Sequence, residues 1–264
     1  MAAPAMPRRY GAVNWRGLWA LCLKDLHRAY KSFRYSVLGP VVSNLLFLAI
    51  FAVARGSGAY VGDLTFLQFL VPGLVIFAVC ETAYSTSSES LLFDKMEGMI
   101  ADTLMAPLTP TELTIGYACS SAATGLLTGA AVALPMLLVV PLPIASLPLL
   151  LFFAAGGAFM HGLLGILVGL WAERWDHHSA ALTFIVIPFG YLSGTFYSVA
   201  SLPALAESVA RVNPVFYVID GFRAASTGHA ESPPLVGMVV VALVVLGLGV
   251  CARRLFRIGY KLKP

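Results

Sequence analysis

Charge is what this sequence has least of. Of its 264 residues only 11% are Asp, Glu, Lys or Arg, while 59% are apolar; soluble domains carry about 25% charged residues. With a mean hydropathy of +0.84, the chain cannot cover a water-soluble domain with polar surface. Cysteine is also scarce. Cys22, Cys80, Cys119 and Cys251 follow no metal-ligand spacing and form no disulfide framework, so they read as small buried apolar residues. Nowhere is there a Gly-Lys dipeptide. The phosphate-cradling pattern Gly-x-x-x-x-Gly-Lys-Ser/Thr is therefore missing, and the connections between apolar runs are too short for an ATPase domain. Residues 1–14 have basic residues without an apolar core or cleavage site behind them, so no signal peptide is read there.

Long apolar runs are what the sequence has instead. Six of them, approximately residues 36–54, 66–85, 111–139, 148–171, 180–197 and 233–252, are separated by short polar connections. A hydrocarbon core of roughly 30 Å is crossed by about 20 apolar helical residues, so each run fits a span with some tilt. An even number of spans puts both ends of the chain on one side. Fourteen of the 17 Lys and Arg fall on that side, including Lys95 and Arg174, leaving Arg55, Arg211 and Arg223 for the other. The positive-inside rule makes the basic side the cytoplasm. The net charge of +4 is thus a topology signal. It does not mark a nucleic-acid partner, since no basic patch is interleaved with stacking aromatics. The chain divides into a cytoplasmic N-terminus with an amphipathic helix (1–35), a transmembrane domain (36–252) and a basic tail (253–264).

Two amphipathic helices are expected outside the spans. On a helical wheel Trp15, Leu18, Trp19, Cys22, Leu26, Tyr30 and Phe33 share one face, and Lys24, Arg28 and Lys31 another. Such a helix lies in the membrane interface, rings among headgroups, charges toward anionic lipid or a protein partner. Residues 90–106 place Leu92, Phe93, Met96, Ile100 and Leu104 at helical spacing, with Asp94, Glu97 and Asp102 on other faces. Pro107 ends that helix. Thr109 then fits an N-cap, Pro110 the first helical position and Glu112 the partner of a capping box. The result is a rigid corner on the cytoplasmic side.

Within the spans, Gly157, His161, Gly165 and Gly169 repeat every four residues, as do Gly116, Ser120, Thr124 and Thr128. Small-residue stripes let helices approach closely and offer polar groups for interhelical hydrogen bonds. His161 is the only ionisable residue near the middle of a span, and Glu81 sits toward the inner end of the second; such residues are functional candidates by default. His161 lies on a packing stripe, so a neutral imidazole bonded to a neighbouring helix is expected.

Between the fifth and sixth runs, residues 198–232 form no ordinary hydrophilic loop. Val199, Leu202, Leu205, Val209 and Val212 fall at helical spacing, which suits a segment dipping back into the outer leaflet. Pro188 and Gly190 mark the fifth helix as kinked or short, making this the expected outer gate. Tyr191, Phe196, Tyr197, Phe216, Tyr217 and Phe222 form either a sliding surface for sugar or lipid, or an interfacial belt. Asp220 and Arg223 read as a helical surface pair. Glu173, Arg174, Asp176, His177 and His178 crowd one connection; adjacent histidines do not easily share one ion, so a solvated turn or a partner contact is preferred to a metal site.

The stretches Leu192-Ser193-Gly194-Thr195-Phe196-Tyr197, Leu202-Pro203 and Asn213-Pro214-Val215-Phe216-Tyr217-Val218-Ile219-Asp220-Gly221-Phe222-Arg223 resemble the signature of type-2 ABC exporter permeases. Val71-Pro72-Gly73-Leu74 and Leu104-Met105-Ala106-Pro107-Leu108-Thr109-Pro110 extend the resemblance over most of the chain. That family includes permeases for O-antigen, capsule, teichoic-acid, nodulation-factor and drug export. The resemblance implies an all-α protein of the bacterial inner membrane. It would have six transmembrane helices, an N-terminal interfacial helix, a cytoplasmic coupling helix, a re-entrant external segment and both termini in the cytoplasm. It also implies a second permease copy, two ABC ATPase subunits and surrounding lipid as partners, with ATP and Mg on the ATPase and no cofactor or catalysis on this chain. Asp94, Lys95, Glu97, Asp102, Lys24 and Arg28 become candidates for coupling to the ATPase. Tyr191, Phe196, Tyr197, Asn213, Pro214 and Tyr217 become candidates for gate and conduit, with the first and fifth spans lining the path. An ion-coupled secondary transporter is the alternative, but it calls for repeated halves with broken helices and intramembrane charges. A membrane enzyme calls for several catalytic groups at one depth; only the His177-His178 stretch comes near, without a nucleophile.

Overall fold

The apolar runs start as helices where a cap or a proline fixes the first turn. The structure, a computed structural model, describes residues 13–31, 37–55 and 60–262; the readings on residues 1–12, Phe33, Arg34, Ser36 and Lys263 lie outside them. In chain order the helices are α1 (Trp15–Lys31), α2 (Gly39–Arg55), α3 (Phe66–Met96), α4 (Ile100–Met105), α5 (Pro110–Val139), α6 (Leu147–Trp171), α7 (Trp175–Ala181), α8 (Ile187–Leu192), α9 (Ala204–Val212), α10 (Pro214–Thr227) and α11 (Pro234–Ile258). A short antiparallel hairpin, β1 (Tyr60–Val61) with β2 (Leu64–Thr65), precedes α3.

Among the described residues α3, α5, α6 and α11 are long and apolar enough to cross a membrane, and Gly39–Ala54 of α2 is a shorter apolar helix. The fifth apolar run differs from a plain helix. Residues 180–197 take in the end of α7, a π-helical turn (Leu182–Val186) and α8, and residues 193–197 lie outside any helix. Pro188 gives the reason: its ring crowds the carbonyl one turn back and offers no N–H, so the backbone widens. The helix expected over 90–106 is also divided. The second apolar helix continues to Met96, and Gly98 at φ +73° separates it from α4, a left-handed conformation that glycine adopts without a Cβ penalty. The corner that follows forms from local caps. Thr109 Oγ1 accepts from the Glu112 N–H at 3.3 Å, and the Glu112 carboxylate accepts from the Thr109 N–H at 2.6 Å.

α3 lies at the centre, packed by α5, α6, α10 and α2, whereas α11 turns most of its apolar surface outward. The α6 stripe makes the closest contact. A Cβ on Gly165 would lie 2.3 Å from the Tyr84 carbonyl oxygen, and Ser87 Oγ donates across the interface to the Gly162 carbonyl at 2.7 Å. His161 departs from expectation. Its Nδ1 lies 3.0 Å from the Gly157 carbonyl, one turn back on its own helix rather than on a neighbour. The α5 stripe also serves another purpose: Gly116 and Ser120 receive α1, through Leu21 and Asp25. Cys22 and Cys80 are buried, Cys119 is half-buried, and Cys251 is exposed on the outward-facing α11.

Candidate functional site

At the C-terminal end of α3 a polar cluster fastens α1 to the bundle. Asp94, 0% exposed, accepts from Arg28 Nη2 at 2.9 Å, from Lys24 Nζ, and from the Tyr117 hydroxyl at 3.2 Å. One turn earlier Ser90 Oγ donates to Asp25 at 2.6 Å, and Ser120 Oγ donates to the other oxygen of the same carboxylate at 3.1 Å. Burial holds the Asp25 carboxyl above its ordinary range, and these two hydroxyl donors pull the other way. Arg28 also stacks on Phe93, 4.7 Å from the ring centroid. At the start of α1, Asn14 Oδ1 caps the Gly17 N–H at 3.0 Å. The Asn14 N–H donates to Glu112 at 2.6 Å, and its amide donates to the Pro107 carbonyl at 3.1 Å. Glu112 therefore closes the α5 capping box and holds α1 at once.

The six residues expected to couple to a partner thus fall into two groups. Lys24, Arg28 and Asp94 are engaged with one another, so Lys24 and Arg28 of α1 point into the chain while Trp15, 71% exposed, and Trp19, Tyr30 and Lys31 face out. A buried carboxylate requires a counter-charge, and that requirement sets which way α1 is turned. Lys95 donates to the Gly169, Leu170 and Ala172 carbonyls at the end of α6, at 3.2, 2.9 and 2.5 Å, where a cation satisfies orphan acceptors. Glu97 and Asp102 remain exposed beside α4. The crowded connection 173–178 splits likewise. Glu173 pairs with Lys261 at 2.6 Å, which holds its carboxyl below the usual range and raises the lysine. His178 is buried against the Tyr84 ring with Nδ1 2.7 Å from Ser88 Oγ. Among the described residues no group of three His, Cys, Asp or Glu could hold a metal ion.

Further along α3 an open groove of about 340 Å³ runs between α2, α3 and α8. Its polar groups are Ser43, Asn44, Glu81 and Tyr191, and its apolar wall includes Phe47, Leu74, Phe77 and Phe196. The rings form a continuous chain: Phe77 to Tyr191 at 5.3 Å, Tyr191 to Phe196 at 5.0 Å, Phe196 to Phe47 at 5.8 Å. Of the gate residues expected from sequence, Tyr191 and Phe196 line this groove, and Glu81 joins them. Asn44, Phe47 and Phe77 were missed, although a lone amide within the first apolar run was a visible signal.

Tyr197, Asn213, Pro214 and Tyr217 sit beyond the groove, where α8 to α10 fold back on the bundle. The stretch expected to be re-entrant is a 3-10 turn (Val199–Ser201) followed by α9, with Leu205 and Val212 exposed and Ala210 buried. Pro214 opens α10, and the Asn213 amide donates to the Phe189 carbonyl at 2.9 Å and Ser193 Oγ at 2.7 Å, while its oxygen caps the Val215 N–H. Tyr197 donates to the Leu192 carbonyl at 3.1 Å, and Tyr217 packs on Phe216 at 5.2 Å. Asp220 and Arg223 do not form the surface pair expected, for both are buried. Asp220 accepts from the Glu231 and Ser232 N–H groups, each at 2.9 Å. Arg223 lies over the Phe69 ring at 3.7 Å and donates to the Phe69 carbonyl at 3.1 Å and the Gly194 carbonyl at 2.7 Å.

The family model described as ABC-2 type transporter matches residues 16–226, which take in both the charged cluster and the groove. The chain belongs to the ABC-2 type transporter family. The inner membrane transport permease YadH of Escherichia coli is 30% identical over 241 residues, covering 89% of this chain and 93% of that protein. Nodulation protein J of Rhizobium leguminosarum bv. trifolii is 25% identical over 266 residues, covering 94% and 96%. The resemblance read from the 192–223 signature is thus correct at the level of the family. ABC-2 permeases are transport components rather than catalytic enzymes.

Proposed function

We propose that this ABC-2 permease is the membrane-spanning subunit of an ATP-driven exporter, working as a homodimer with two separate ATPase subunits. The observation that carries the reading is the tie of α1, the end of α3 and the α4–α5 corner into one polar assembly through Asp94, Asp25 and Glu112. Push on any of these three elements is passed to the others, as a subunit driven from outside requires. Glu97 and Asp102 are the exposed charges beside that assembly and serve as the contact with the ATPase. Lys24, Arg28, Asp94 and Lys95 carry the motion inward.

In this reading the six spans are α2, α3, α5, α6, the broken α7–α8 unit and α11. Residues 175–192, counted as helix, extend about 27 Å, close to the roughly 30 Å of a hydrocarbon core. Residues 1–35 and 253–264 lie in the cytoplasm, in keeping with the excess of Lys and Arg there. The inner membrane is the expected location, by analogy with the Escherichia coli relative. Substrate passes along the groove lined by Tyr191 and Phe196, and a glycan, lipid-linked or other amphiphilic cargo fits its mixed aromatic and polar wall.

The test is recovery of the tagged chain from its host in mild detergent, with mass spectrometry of what accompanies it. A stoichiometric protein carrying the phosphate-loop motif is the expected result. Repeated recovery of the chain alone would overturn the reading in favour of an ion-coupled transporter.

A further inference from the structure

Among the described residues Glu81 is the one charged residue lining the groove between α2, α3 and α8. Among the described residues no hydrogen bond or ion pair engages its carboxylate. Among the described residues the buried charges Asp94, Asp25, Asp220 and Arg223 all have partners. Asp94 has two cations, Asp25 two hydroxyls, Asp220 two backbone N–H groups, and Arg223 two carbonyls. A carboxylate left without a donor in a low-dielectric wall is costly unless something supplies one.

Among the described residues the groove offers Glu81 no cationic side chain of its own. Its hydroxyls, Ser43 and Tyr191, are neutral, and the Asn44 amide donates at 2.8 Å to the Pro40 carbonyl. The rest of its wall is chiefly aromatic. Phe77, Tyr191, Phe196 and Phe47 stand ring to ring beside the carboxylate. Aromatic faces carry negative electrostatic potential and attract cations, most strongly weakly hydrated ones such as alkylated ammonium groups. Carboxylate and rings therefore select charge of the same sign. An anionic headgroup meets repulsion from Glu81.

We propose that this groove binds the cationic head of an amphiphile, an ammonium or similar onium group, with Glu81 as counter-charge and the four rings as its wall. At about 340 Å³ the groove takes a small head and its first methylenes, and the tail extends from its open side. That the bound cation is also the exported cargo rests on the transport reading above; the binding itself does not.

The purified chain in a non-ionic maltoside detergent is titrated with a fluorescent alkyl-trimethylammonium probe and with its neutral isostere, in which a tert-butyl group replaces the trimethylammonium. The wild type is expected to favour the ammonium probe by about tenfold or more. Glu81→Gln should bring the two probes to near equality, Glu81→Asp should keep the preference, and Tyr191→Leu should weaken the ammonium probe more than the isostere. Size-exclusion profiles matching the wild type verify that each variant is folded. Equal binding of both probes by the wild type, or a preference that survives Glu81→Gln, would overturn the proposal. The transport reading fails separately: absence of any ATPase partner overturns it even where the ammonium preference holds, and ATPase-driven export without that preference overturns only the cation assignment.

Discussion

Lys24 reaches Asp94 across 70 positions of sequence, and Arg28 grips the other oxygen of the same carboxylate at 2.9 Å. The pair is unequal in burial. Asp94 has no exposed side-chain surface, while Lys24 and Arg28 keep 35% and 33%. Removing the carboxylate leaves two cations that still reach water, whereas removing both cations strands a buried anion with little more than the Tyr117 hydroxyl. Asp94→Asn is therefore expected to lose about 1–2 kcal/mol, and Lys24→Met combined with Arg28→Met about 3–5 kcal/mol. Unfolding of both variants in one detergent measures the difference, and equal losses would contradict it.

Asp25 gives a dependence on pH whose sign can be worked out. Burial raises its pKa above the ordinary 3.8, so the folded chain holds that proton more tightly than the unfolded chain. As pH rises past about 4 the unfolded carboxyl ionises first, and this group's contribution to stability falls until the folded carboxyl has ionised too. Asp25→Asn has no such step. The difference in melting midpoint between variant and wild type should grow in favour of the variant through that window and then level off. A difference that stays flat would mean the carboxyl is not shifted.

Gly165 and Gly247 form a matched pair of substitutions. A Cβ at Gly165 meets the Tyr84 backbone oxygen at 2.3 Å, while one at Gly247 finds nothing within 4 Å. Gly165→Ala should cost about 1–3 kcal/mol by forcing α3 and α6 apart. Gly247→Ala should be neutral or stabilising by up to about 1 kcal/mol. Chemical unfolding of each variant checks the contrast.

Glu97 and Asp102 touch little of their own chain, and charge reversal there should leave the melting midpoint unchanged. In the complete transporter, Glu97→Arg or Asp102→Arg should separate ATP hydrolysis from transport. Hydrolysis and export measured on the same vesicles, both at wild-type levels for both variants, would remove these residues from the proposed contact.

Local chemistry was legible in the sequence and distant pairing was not. The Thr109–Glu112 capping box lies within four residues, and its pattern predicted it. Pro188 announced a broken helix, but the π-helical form depends on how the following turns pack. The face that α1 presents inward was invisible, because a helical wheel sorts residues by polarity and cannot know that Asp94 waits on another helix. Likewise Asp220 and Arg223 stand one turn apart and read as partners, yet the backbone groups of Phe69, Gly194, Glu231 and Ser232 claim them separately. The groove needed α2, α3 and α8 together, and only Glu81, Tyr191 and Phe196 stood out beforehand.

The contact of Gly165 with the Tyr84 carbonyl also determines how this protein can deform. Two helices that meet backbone to backbone, cross-linked by Ser87 at the Gly162 carbonyl, have no layer of side chains to slide on. A force applied through α1, as proposed above, would therefore meet α3 and α6 as a single stiff beam. Compliance is left to the seams with α2 and with the π-turned α7–α8 unit, where the groove already lies open. A beam hinged against softer neighbours turns a small displacement at one end into a change of width along its side, at the place where Glu81 faces the aromatic wall.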